Sequence, residues 1–72
     1  MEEFLRYSVS HQKRIKVFLM ADDHVIQQNI LVLSFTKDDF TYVGPQSKTP
    51  RTLPLSALLS AGYARGDSGE TQ

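Results

Sequence analysis

The chain has 72 residues, no cysteine, and eight basic against eight acidic side chains, so its formal net charge at pH 7 is zero. That length allows one domain, and a domain this small buries only about 60% of the surface its unfolded chain exposes. The missing cysteines exclude disulfides and thiolate metal sites, and the cancelled charge excludes nucleic-acid binding by bulk electrostatics alone.

Self-association is the supplement left to a thin core of this kind. No apolar run approaches the roughly 18 residues of a membrane span, and the N-terminus lacks the charged-then-apolar pattern of a signal peptide. Together with the absence of cysteine, this predicts a soluble protein of a reducing cytoplasm.

Glu2 to Val9 is expected to form a short helix, with acids in its first turn and Leu5 and Val9 four apart on one face. From Arg14 to Met20 the residues alternate, with Ile15, Val17 and Leu19 on one side and Lys16, Phe18 and Met20 on the other. This is the period of a strand. Asp22 and Asp23 then supply turn chemistry, and Val25 to Phe35 is a long β-prone run. Its alternation slips near Gln27-Gln28-Asn29, so a bend or bulge is expected there.

Thr36 to Asp39 reads as a turn, Phe40 to Val43 as a short strand closed by Gly44-Pro45, and Gln46 to Pro50 as a loop. Arg51 to Leu53 resumes a strand, and Pro54 belongs at its edge or end, because proline cannot donate to a ladder. Leu55 to Leu59 fits one helical turn, Ser60 to Ala64 the last strand, and 66–72 a disordered tail. The prediction is a mainly β fold over residues 1–65: a small five-stranded SH3/Sm-like barrel with a short N-terminal helix.

The order of elements, with Phe40-Thr41-Tyr42-Val43 followed by Arg51-Thr52-Leu53-Pro54-Leu55-Ser56-Ala57-Leu58, resembles the WYL domain, a bacterial regulatory module built on an Sm/SH3-like barrel. The first segment falls where that family carries Trp-Tyr-Leu, the second where it carries Arg-Thr-Phe-Arg-Leu-Asp-Arg-Ile. The resemblance runs from about residue 4 to residue 64 and lies in spacing and apolar pattern more than in identities. It implies a polar, cationic site for a nucleotide, nucleic acid or other negatively charged effector. Here Thr41 stands where the family has its tyrosine, and Pro54 and Ala57 stand where it has arginines, so Arg51 alone carries over. Sm and Hfq proteins, RNA-binding rings on the same barrel, are a second resemblance. A protein-interaction module pairing through its edge strands is a third reading.

His11, Lys13, Arg14, Lys16, Lys48 and Arg51 are the residues expected to meet an anionic ligand, and Phe40 and Tyr42 the rings expected to stack on bases. No nucleophile elbow or histidine–acid pair points to an enzyme, no ligand set to a metal, and no motif to a cofactor. Arg65-Gly66-Asp67 reads as a strand end entering the tail. The expected partners are an anionic ligand and further copies of the chain.

Overall fold

The computed structural model describes residues 2–67. Helix α1 (Glu2–His11) begins with Glu2 and Glu3, whose carboxylates suit the positive end of the helix dipole, and gives way to Gln12, which takes a left-handed φ of 53°. At 10 residues it is too short to hold in water by itself. Burial holds it: Leu5, Tyr7 and Ser8 are sealed against the sheet, with Phe4 and Val9 packed beside them.

Strand β1 (Ile15–Ala21) buries Ile15, Val17 and Leu19, as its alternation predicts. Asp22 and Asp23 alone join it to β2 (His24–Phe35), with Ala21 paired to His24. Both aspartates have positive φ, 46° and 70°, as in the type I′ turn whose twist matches that of the flanking strands. β2 then serves two neighbours in succession. Its residues up to Ile30 pair with β1, and those from Leu31 pair with β3 (Asp39–Val43). With β4 (Arg51–Pro54) on β3 and β5 (Leu58–Tyr63) on β1, the antiparallel sheet has the order β4-β3-β2-β1-β5. The mainly β, five-stranded fold with an N-terminal helix is therefore as expected.

No ladder joins β4 to β5 among the described residues. They are the two edges of the sheet, and a 3-10 turn over Leu55–Ala57 carries the chain from one to the other. Pro54 ends β4 on that edge, where its missing N–H costs no ladder bond. The Leu55 amide is instead tied to the Asp38 carbonyl at 2.9 Å, fixing the crossing against the β2–β3 turn.

The bend in β2 lies further along than the residue pattern indicates. Ile26, Gln28, Ile30 and Val32 all turn toward the interior, with Ile30 and Val32 fully buried, and the register with β3 slips only between Val32 and Ser34. A helix side chain accompanies the change of partner. Ser8 Oγ accepts the Val32 N–H at 2.9 Å and donates its own proton to the Lys13 carbonyl at 2.7 Å, with the serine wholly buried.

Beyond β5 the chain folds back. The Asp67 N–H bonds the Ala64 carbonyl at 2.9 Å around Gly66, whose φ of 86° suits glycine, and the Tyr7 hydroxyl donates to the Asp67 carboxylate at 2.8 Å. Gly66 and Asp67, expected in the tail, thus form a turn held to α1, while the rest of that expectation, 68–72, lies outside the described residues. No helix among the described residues is long and apolar enough to cross a membrane.

Candidate functional site

A groove of about 540 Å³ opens between the β1–β2 hairpin and the segment that joins β3 to β4. This is within the range of small-molecule sites. Leu19, Ile26 and Leu53 supply its apolar surface, and Gln28, Gln46, Ser47 and Arg51 bring hydrogen-bonding groups to it. Asp22 stands on the hairpin wall.

Arg51 opens β4 directly opposite Tyr42 and is exposed. Among the described residues the ion pair is Arg6–Glu2, at 2.8 Å on the helix surface, so Arg51 keeps its guanidinium free of a carboxylate. Gln28 is half-buried on the inward side of β2, in line with Ile26 and Ile30. An amide inserted in an apolar row is costly to bury without partners, and here it reaches the groove.

The other cations expected at a site are spread elsewhere. His11 lies at the end of α1 with its ring 4.9 Å from that of Tyr7. Lys13 is exposed in the turn before β1, and Lys48 is exposed in the loop after β3. Lys16 lies on the outward side of β1, opposite Asn29 and Gly62. Arg14 is engaged by backbone, donating to the Asn29 carbonyl at 3.1 Å and the Gly44 carbonyl at 3.2 Å. Of the six cationic candidates, then, the groove receives Arg51, while Arg14 braces the start of one wall.

Phe40 is corrected as a stacking platform, whereas Tyr42 is largely buried but reaches the groove. The inward phase of β3 places Phe40 at 0% exposure and Tyr42 at 5%, with their rings stacked on each other at 5.3 Å. Phe40 offers no free face to a base. Tyr42 contributes only to the base of the groove.

The groove residues that the amino-acid pattern did not single out are Gln28, Gln46 and Ser47. A signal existed for the first: counted in steps of two from Ile26, Gln28 is the polar member of an inward row. Gln46 and Ser47 belong to a loop whose path no periodicity encodes.

Tyr7 is the titratable group most altered by the fold. Burial first, then the hydrogen bond to Asp67 and its negative charge, with a further contribution from Tyr63, push its phenol up to about 12 from 10.0. The group lies in the aromatic cluster between α1 and β5, where Tyr63 meets both Phe4 and Tyr7 edge-on at about 5 Å, away from the groove.

In comparisons with protein-family models, curated proteins and solved structures, the chain matched none.

Proposed function

We propose that this chain is a non-enzymatic ligand-sensing module whose groove takes an anionic small molecule, with Arg51 as the anion contact. The observation that carries this reading is an exposed arginine with no carboxylate partner among the described residues, at a groove that also presents Gln28, Gln46 and Ser47. A guanidinium binds phosphate or carboxylate through two parallel hydrogen bonds. The amides then orient an uncharged polar ring, and Leu19, Ile26 and Leu53 cover its apolar faces. Asp22, on the hairpin wall, repels a second negative group. A ligand with one anionic end and an uncharged body, such as a mononucleotide, suits this distribution better than a polyanion. The WYL resemblance favours the same reading, since Arg51 is the arginine that carries over. A regulatory role in a reducing cytoplasm fits the cysteine-free composition.

Thermal unfolding in the presence of mononucleotides and of inorganic phosphate tests the proposal. A bound ligand at 100 times its dissociation constant adds about 2.7 kcal/mol of stability. The expected result is a raised Tm with at least one anion, abolished in Arg51→Gln. An unchanged Tm with every anion refutes the assignment.

The strand order supports a second reading, an Sm-like RNA-binding ring, because among the described residues β4 and β5 each leave one edge unpaired, as pairing between copies requires. That reading requires a ring mass in light scattering and RNA affinity falling steeply with salt. A monomer or dimer rules it out.

A further inference from the structure

The outward face of β2, β1 and β5 carries an apolar strip that the fold leaves uncovered. Phe18 is half-exposed, and Met20, Val25 and Leu59 are 45%, 52% and 41% exposed. The register sets Met20 opposite Val25 and Phe18 between Gln27 and Ser60, with Leu59 at the slip beside Phe18 and Leu19. Residues directly opposite on neighbouring strands share a face, so Met20 and Val25 lie on one surface with Phe18 and its neighbours Gln27 and Ser60, without a charge in its middle, and exposed Leu59 stands beside it at the register slip.

The charges stand at its ends and differ in sign. Exposed Asp22 and Asp23 follow β1 at one end, and Lys13, Arg14 and Lys16 lie at the other. Counted from Phe18, Arg14 and Asp22 are each four residues away, and Lys13 and Asp23 each five.

We infer that this face is a two-fold interface between two copies of the chain. In an isologous contact, residue i meets residue j and j meets i. A two-fold axis near Phe18 runs β1 antiparallel over its own copy, joins the two apolar middles, and sets each basic end against the other copy's acidic end. The required complement is base, apolar, acid in reversed order, and the chain itself supplies it. Zero net charge removes the long-range repulsion that opposes self-association. Because Asp22 also lines the groove, the second copy brings its own Arg14, four residues from the axis like Asp22, to the groove's rim. The interface differs from edge pairing through β4 and β5 and does not depend on the ligand assignment.

Sedimentation equilibrium over a range of concentrations provides the test, with circular dichroism confirming that each variant is folded. The wild-type chain is expected to show a monomer–dimer equilibrium. Asp22→Lys with Asp23→Lys, and separately Lys13→Glu with Lys16→Glu, each place like charges at both ends and weaken the dimer by roughly tenfold or more. Mixing the two variants restores a dimer, because each then supplies the sign the other lacks. Met20→Lys with Val25→Lys removes self-association. The inference is overturned by a wild-type chain that stays monomeric at all concentrations, including one that binds a single-stranded oligonucleotide on Lys16 and Phe18 instead. It is equally overturned by variants that remain monomeric when mixed, or by an assembly that survives these changes and dissociates with Thr52→Pro on the β4 edge.

Discussion

Ser8 joins three segments through one hydroxyl. It donates to the carbonyl before β1 and accepts the Val32 amide where β2 changes neighbours, and it does so without solvent contact. Ser8→Ala leaves a buried donor and a carbonyl unpartnered, at a cost of about 1–3 kcal/mol. Urea unfolding is expected to show a lowered midpoint with an unchanged slope; a midpoint equal to wild type would contradict the assigned role. Tyr7 gives a second test at this scale. Its folded phenol is raised to about 12 from 10.0, so its contribution is complete below pH 10 and is lost as pH rises toward 12, because the unfolded chain ionises first. Stability measured by urea above pH 10 is expected to fall more steeply for wild type than for Tyr7→Phe. Parallel curves would remove Tyr7 as the source. Neither role was legible in the residues alone. The partners of Ser8 and Tyr7 lie up to 60 positions away in the chain, and no local pattern encodes such a contact.

The strands were legible because their signals are local. Ile15, Val17 and Leu19 alternate without interruption, and the Asp22-Asp23 pair bounded by apolar runs marks a two-residue turn. The position of the bend in β2 was not legible, since Leu31 and Leu33 keep the run apolar on both faces while hydrogen bonding to β3 decides where the register slips. The turn itself carries a testable strain. Asp22 and Asp23 both occupy the left-handed region, where aspartate is tolerated but Asn-Gly is preferred. Asp22→Asn with Asp23→Gly is expected to raise stability by about 0.5–1 kcal/mol, the relief of roughly 1–2 kcal/mol of left-handed strain at the glycine position less the greater conformational entropy glycine loses on folding. A decrease in the urea midpoint would mean that the two carboxylates stabilise the monomer. The same substitution removes the acidic end of the proposed dimer face, so it raises monomer stability while lowering dimer affinity.

At the scale of the whole molecule, the sheet order decides which functional residues meet. Lys13 and Lys16 are close to Arg51 in character but not in place, because they stand at the start of β1, whereas the far end of that strand, from Leu19 on, lines the groove with Arg51. Composition counted cations; only the topology could show that the groove receives Arg51 while Arg14 spends its hydrogen bonds on backbone. The same order brings Gln28 from β2 and Gln46 and Ser47 from the β3–β4 loop to that arginine, although 23 positions separate Gln28 from Arg51. Amide chemical shifts recorded by NMR during titration with a mononucleotide report on this convergence residue by residue. Saturable shifts are expected at Gln28, Gln46, Ser47 and Arg51, and they disappear in Arg51→Gln while the rest of the spectrum is retained. Shifts confined to Lys13, Arg14 and Lys16, or none at the groove, would contradict the assignment of the groove as the anion site.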